Sequence, residues 1–266
     1  LTMISTLVSA AQLREQLASS RPPVLIDTGF DLADVSAGER AWREGHLPGA
    51  FYLHLDRDLS GAKTGHNGRH PLPPRSSFAA TLGRLGITPD TPVVVADRQA
   101  AMVAARAWWM LRWMGHAEVA VLDGGVAAWV SAGGALETAE PVAPPTPPYP
   151  ERAPLEDVVT AEDLLRRLGR VRLLDARAGE RFRGEVEPLD AAAGHIPGAL
   201  NRFFKDNLQA DGRFKPADAL RAEFAALLGT AAPTDVVQQC GSGVTACHNL
   251  LAMAAAGRGD TCLYPG

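Results

Sequence analysis

Gly45-His46-Leu47-Pro48-Gly49-Ala50 returns 149 residues later as Gly194-His195-Ile196-Pro197-Gly198-Ala199. Upstream of each copy stands a short apolar run closed by an aspartate, Val24-Leu25-Ile26-Asp27 and Val171-Arg172-Leu173-Leu174-Asp175. Downstream, Thr91-Pro92-Val93-Val94-Val95 corresponds to Pro233-Thr234-Asp235-Val236-Val237, and Val121-Leu122-Asp123-Gly124 to Cys262-Leu263-Tyr264-Pro265. The offsets of 149, 148, ~143 and 141 residues run in order and are nearly constant, so the chain is a tandem repeat of one domain of about 130 residues.

Between the copies, Glu140-Pro141-Val142-Ala143-Pro144-Pro145-Thr146-Pro147-Pro148-Tyr149-Pro150 carries six prolines in eleven residues. Proline fixes φ and removes amide donors, so this stretch is neither helix nor central strand and is expected to be a semi-rigid extended linker. The expected organisation is therefore a first domain over 1–138, a linker over 139–154 and a second domain over 155–266. The second copy reaches Gly266 before any counterpart of the helix that contains Trp129 in the first, so its C-terminal end is expected to be incomplete.

Each half alternates short apolar strands with amphipathic helices. Strands are expected at 24–27, 93–96 and 118–122, then at 171–175, 235–239 and 260–264. Helices are expected at 9–18, 76–85 and 102–114, then at 161–168, 217–228 and 246–256. Thr160 followed by Asp163 has the form of a capping box opening the helix at 161. This alternation predicts an α/β fold in which each domain is a mostly parallel sheet flanked by helices, with ligands at the carboxyl ends of the strands.

The 266 residues are 46% hydrophobic and 21% charged with a formal net charge of −4, which excludes a mainly disordered, collagen-like or coiled-coil chain. Mild acidity argues against a nucleic-acid partner, which calls for clustered Lys and Arg. No apolar stretch approaches the ~20 residues that span a bilayer, so no membrane partner is expected. Leu1-Thr2-Met3-Ile4-Ser5 lacks a basic region followed by an apolar core, so no secretory leader is read there and a cytoplasmic location is expected. Three cysteines, Cys240, Cys247 and Cys262, fall in the last 27 residues; an odd count in a chain this size points to a reducing compartment rather than a disulfide framework.

The chemistry is concentrated in Val236-Val237-Gln238-Gln239-Cys240-Gly241-Ser242-Gly243-Val244-Thr245-Ala246-Cys247-His248. A strand delivers Cys240 to its carboxyl end, and a loop with two glycines turns into a helix from about Ala246. Glycines reach φ > 0, which lets consecutive amides converge on one point, and the helix N-terminus adds a partial positive charge there. A sulfur atom at that focus is expected to be held as a nucleophilic thiolate. Cys247 and Cys262 fall in a helix and a strand and are expected in the core. A metal site from Cys240, Cys247 and His248 does not fit known ligand spacings. A cysteine phosphatase needs a cation six residues beyond the nucleophile; that position is Ala246, and the loop holds no Lys or Arg. The matching position in the first half is Asp97, followed by Arg98-Gln99-Ala100-Ala101 without thiol or glycine, so that copy is expected to be structural and substrate-framing.

These residues resemble the two-domain rhodanese-type sulfurtransferases, and the resemblance spans essentially the whole chain. Cys240-Gly241-Ser242-Gly243-Val244-Thr245-Ala246 looks like the loop of the 3-mercaptopyruvate sulfurtransferases, whereas thiosulfate-preferring rhodaneses carry basic residues just after the cysteine. The resemblance implies sulfur transfer from 3-mercaptopyruvate through a persulfide on Cys240 to a cyanide, thiol or thioredoxin acceptor, with thiosulfate as the alternative donor. A persulfide carrier module is the alternative from another class. No metal or organic cofactor is implied. Gly241, Gly243, Val244, Thr245 and Ala246 would cradle the donor. The family's carboxylate-binding arginine maps to Arg181 in Glu180-Arg181-Phe182-Arg183-Gly184. Arg177 is either a second anion contact or an ion pair supporting the loop, and Arg183 is expected to be solvated. A second family arginine, in a Glu-Pro-Arg context, is missing from Glu187-Pro188-Leu189-Asp190 and is expected from elsewhere, with Arg202 as a candidate. The family's Ser-His-Asp relay across the two domains maps to Ser242, His70 and Asp56, and His46 and His195 are expected to orient loops.

Overall fold

The structure is a computed structural model that describes residues 6–144 and 146–266. Leu1 to Ser5, read above for a leader, and Pro145 of the linker lie outside the described residues. In the first half, β1 (Thr6–Val8), β2 (Val24–Asp27), β3 (Phe51–Tyr52), β4 (Val93–Ala96) and β5 (Val119–Leu122) form a parallel sheet in the order β1-β5-β4-β2-β3. Helices α1 (Ala10–Leu17), α2 (Ala37–Glu44), α3 (Arg75–Arg84), α4 (Ala104–Trp113) and α5 (Gly125–Ser131) connect and follow the strands. The second half repeats the plan: β6 (Asp157–Val158), β7 (Arg172–Asp175), β8 (Leu200–Asn201), β9 (Val236–Gln239) and β10 (Cys262–Leu263) pair in parallel in the order β6-β10-β9-β7-β8. Its helices are α6 (Ala161–Arg167), α7 (Gly179–Phe182), α8 (Ala217–Leu228) and α9 (Val244–Ala255). The two sheets have the same strand order, as a tandem repeat requires.

The central strands form where the sequence is continuously apolar. Val93-Val94-Val95-Ala96 is buried at every position because helices cover both faces of a parallel sheet. Helices α4 and α9 are likewise buried nearly all round, with Trp108 and Trp109 in the first core and Leu251 and Met253 in the second. Burying a large apolar side chain contributes about 1.5–3 kcal/mol, so these two helices carry much of each core. Thr160 caps α6 as expected, its hydroxyl accepting from the Asp163 amide at 3.1 Å. A full capping box also opens α1, where Ser9 and Gln12 exchange side-chain and backbone bonds. Among the described residues no helix is long and apolar enough to cross a membrane.

By contacts the chain divides into Leu1–Ala62 with Leu72–Leu155, and Lys63–Pro71 with Glu156–Gly266. The polar excursion over 63–71 thus belongs to the second unit, where Arg69 pairs with Asp190. The described residues of the proline-rich stretch form no helix and are laid along the first unit. The Tyr149 amide donates to Ala79 O at 2.9 Å, the Tyr149 hydroxyl meets His116 Nδ1 at 3.1 Å, and the Leu155 amide donates to Arg112 O at 2.9 Å. A Cβ on Gly83 would lie 2.5 Å from Pro147 O, so glycine lets the strap approach α3.

The repeated histidines act alike. His46 Nδ1 bonds Trp42 O at 2.8 Å and its ring stacks on Trp42; His195 Nδ1 bonds Phe182 O at 2.6 Å and stacks on Phe182. Each ties the end of the preceding helix to its His-x-Pro-Gly-Ala turn.

Candidate active site

Asp175 of β7 pairs with Gln239 of β9, so the next residue, Cys240, leaves the sheet at its carboxyl edge. It is half-buried, whereas Cys247 and Cys262 are core residues as expected. The loop is shorter than its sequence suggests: α9 opens at Val244, two residues before Ala246, because Gly243 takes the left-handed conformation (φ 73°) and closes the turn at once. The amides of Val244, Thr245 and Ala246 therefore belong to the first turn of α9, where backbone donors lack helical acceptors and the dipole favours an anion. Ser242, buried in the same loop, aims its amide at Cys240 Sγ from 3.5 Å. Gly241 serves differently from Gly243. A Cβ there would lie 2.6 Å from Arg69 Nη2, 2.7 Å from Asp190 Oδ2 and 3.4 Å from Arg181 Nη2, so three charged groups close on the residue beside the cysteine.

Those groups belong to a network of arginines and carboxylates. Arg177 chelates buried Asp175, with Nη2 at 2.7 Å from Oδ2, and donates to Gly194 O at 2.7 Å. It is the loop-supporting ion pair rather than an anion contact. Arg181, at the end of α7, donates to Glu187 through Nε and Nη2 and to Asp190 Oδ2 at 2.8 Å. Glu187 also accepts the amides of Leu189 and Asp190. Burial opposes its ionisation, but Arg181 and those two amides outweigh burial and hold its pKa at about 2. Arg183 is exposed and pairs with Glu185. Arg202 is engaged with Glu223 and Asn207, and the arginine that stands beside Gly241 together with Arg181 is Arg69. Sequence reading missed Arg69, Glu187 and Asp190. In 187–190 the missing cation is the visible departure while the carboxylates carry no pattern of their own, and Arg69 lies 171 residues before Cys240.

His70 and Ser242 are both buried within the second unit. Asp56 belongs to the first unit, where its amide donates to His54 Nδ1 at 3.1 Å. His248 is a core residue that stacks on Phe214 and bonds Asn207. Among the described residues no group of three or more His, Cys, Asp or Glu side chains stands where it could hold a metal.

In the first unit Asp27 pairs with Ala96, which makes Asp97 the positional equivalent of Cys240. The Asp97 side chain fills its own loop. Oδ1 accepts from the amides of Gln99 (3.0 Å) and Ala101 (2.9 Å), and Oδ2 from those of Val103 (3.0 Å) and Ala104 (2.9 Å). Ala100 and Ala101 take φ values of 56° and 66° to make this possible without glycine. Burial pushes the Asp97 carboxyl up against the pull of the four amides.

The rhodanese-like domain family matches residues 9–132. The chain is 46% identical over 97% of its length to a Pseudomonas aeruginosa protein named "Probable 3-mercaptopyruvate sulfurtransferase", covering 94% of that protein. It is 32% identical to the thiosulfate sulfurtransferase of Gallus gallus, across 98% of this chain and 91% of the other. The solved structure of SseA from Escherichia coli, a 3-mercaptopyruvate sulfotransferase with the rhodanese fold, superposes with a TM-score of 0.80 at 32% identity over 98% of both chains. With a duplicated parallel sheet, a cysteine at the strand end of one copy and relatives of this identity over nearly the whole chain, the protein belongs to the two-domain rhodanese-type sulfurtransferases.

Proposed function

We propose that this sulfurtransferase takes its sulfur from 3-mercaptopyruvate. The observation that carries the reading is the composition of the loop at Cys240: amides and a helix N-terminus for an anionic sulfur, no cation within residues 240–246, and Arg181 one step outside. A dianionic donor such as thiosulfate gains from cations in the loop itself, at the sulfur focus; a monocarboxylate is held by guanidinium groups outside the loop. The names of the relatives support both donors, and the loop chemistry favours the first.

Cys240 thiolate attacks the thiol sulfur of the donor, and the S–S bond forms as the C–S bond breaks. The electron pair of that C–S bond passes into the pyruvate enolate, which ends as pyruvate with the former thiol proton on its methyl carbon. Cys240 is left as a persulfide anion. Ser242 and His70, with Asp56 as their carboxylate, are proposed to carry that proton, since a neutral imidazole both takes and gives protons near pH 6.5. In the second step the acceptor's nucleophile binds the outer sulfur and the thiolate returns. Cyanide yields thiocyanate, and a small thiol or reduced thioredoxin yields a persulfide. Gly241, Gly243, Val244, Thr245 and Ala246 line the approach to the sulfur.

Steady-state kcat/KM for 3-mercaptopyruvate and thiosulfate, with intact mass after each donor, tests the reading. One sulfur atom should be added to the wild type and none to Cys240→Ser, with 3-mercaptopyruvate the better donor. Arg181→Ala should raise KM for 3-mercaptopyruvate about 10- to 100-fold, in line with ~1.5–3 kcal/mol for a charged hydrogen bond. Higher kcat/KM for thiosulfate would overturn the donor assignment. Persulfide formation without turnover would make the protein a sulfur carrier.

A further inference from the structure

The anion site beside Cys240 already holds an anion. Asp190 places one carboxylate oxygen on each of two arginines: Oδ1 accepts from Arg69 Nε at 2.7 Å and Oδ2 from Arg181 Nη2 at 2.8 Å. All three groups meet where a Cβ on Gly241 would stand, one residue from the cysteine. Two guanidinium groups sharing one carboxylate, an oxygen each, is how a pair of arginines would clamp a carboxylate ligand. The neighbouring Glu187 is a different case. Its side chain is 6% exposed and is tied to backbone amides as well as to Arg181. The Asp190 side chain is 23% exposed and lies on a stretch without helix or strand, between α7 and β8, so it is the carboxylate able to swing away.

We infer that Asp190 is an internal occupant of the donor's anion site and that Arg69 is the second arginine of that site. The donor's carboxylate enters between Arg69 and Arg181 as the Asp190 carboxylate leaves for solvent. This rests on the sulfurtransferase reading for the identity of the anion, but the exchange of carboxylates does not need turnover. An internal competitor lowers the apparent affinity of a ligand by the fraction of time the site stands open. Asp190 thus sets the donor KM, and it follows directly on Leu189, the position where the sequence departs from the pattern it resembles.

The test uses pyruvate as a carboxylate probe and protection of Cys240 from alkylation by iodoacetamide, read by intact mass. In Asp190→Asn the half-protecting pyruvate concentration should fall about three- to ten-fold, matching the small free energy of a partly exposed ion pair. Asp190→Ser, which leaves no amide to pair with the arginines, should behave alike. Adding Arg69→Met to Asp190→Asn should raise the concentration at least about ten-fold, without leaving Asp190 unpaired. In steady state Asp190→Asn should lower KM for 3-mercaptopyruvate and change kcat less than about two-fold. A half-protecting concentration unchanged by loss of the Asp190 carboxylate, no effect of Arg69→Met, or no protection of the wild type at any pyruvate concentration would each overturn the inference. Protection that follows these expectations in an enzyme that does not turn over 3-mercaptopyruvate would overturn only the donor assignment.

Discussion

Asp97 and Cys240 leave equivalent strands at the same register, and their surroundings differ in three respects. The first is the occupant. Asp97 brings its own two oxygens to four amides and is 1% exposed, so its loop is complete; Cys240 brings one half-buried sulfur, approached by the Ser242 amide. The second is the backbone. The first loop holds two alanines in the left-handed region, at a cost of order 1 kcal/mol each or more, and the carboxylate offsets it; the second uses Gly243. The third is the placement of the supporting cation. Arg98, directly after Asp97, reaches Asp27 Oδ2 at 3.6 Å and the Gly45 carbonyl. In the second unit Arg177, from the end of β7, reaches the equivalent Asp175 and the equivalent Gly194 carbonyl. The same guanidinium task is performed from a different strand, and position 241 is thereby free to be glycine. A fold that can move its structural arginine can clear a loop for chemistry without losing the support.

The largest expected effect comes from making the second loop like the first. Cys240→Asp should reduce sulfur transfer by at least about a thousand-fold, because no other atom at that focus can carry the sulfur. The loop should tolerate the change, since it offers a carboxylate the Ser242 amide and the first turn of α9. Far-UV circular dichroism and donor assays on the same sample check both halves. Turnover that survives would break the equivalence and the nucleophile assignment together.

Removing the carboxylate from the first loop should cost stability rather than activity. Asp97→Ala leaves three buried amides and one half-buried amide without their acceptor, and each unsatisfied buried donor costs of order 1 kcal/mol, so about 2–4 kcal/mol is expected after partial relaxation. Asp97→Asn, with one acceptor oxygen left, should fall between. All five tryptophans lie between Trp42 and Trp129, so urea unfolding followed by tryptophan fluorescence reports on this unit alone. A midpoint unchanged in Asp97→Ala would mean that the amides do not depend on the carboxylate.

What could be read beforehand follows from how local each signal is. The Cys240 loop was legible because strand, glycines and helix are contiguous in the chain, and β4 because Val93-Val94-Val95 is apolar at every position. β9 was harder, since its last two residues, Gln238 and Gln239, are polar yet buried, and only the repeat exposed it. β3, β6 and β8 have two residues each, too few for any periodicity. α2 has one large apolar side chain, the buried Trp42, and its Gly38 is required by a carbonyl: a Cβ there would lie 1.8 Å from Gly29 O. The arginines show the limit most clearly. Arg98 and Arg177 are equivalent in space but not in alignment, and Arg69 reaches Gly241 from a loop of the first repeat that packs in the second unit. No one-dimensional comparison of the halves brings these together.

The smallest expected effect sharpens the contrast in how the two units hold their cations. Arg98 leans on a buried aspartate and carbonyls, whereas Arg181 leans on Glu187, whose carboxyl is held at about 2. A carboxyl lowered in the folded state contributes stability that is fully present above its unfolded value of about 4.3 and is lost as pH falls toward 2. Glu187→Gln keeps the shape and the hydrogen-bonding oxygen but not the charge, so the wild type should exceed it by about 1–2 kcal/mol at neutral pH, since a charge-assisted bond is roughly twice as strong as a neutral one. That difference should begin to shrink near pH 5 and be largely, though not wholly, lost by pH 2.5, since the wild-type carboxyl is fully protonated only below about 2. Urea midpoints from far-UV circular dichroism at pH 7, 4 and 2.5 give the comparison. A gap between the two proteins that stays constant over this range would show that ionised Glu187 is not what braces Arg181.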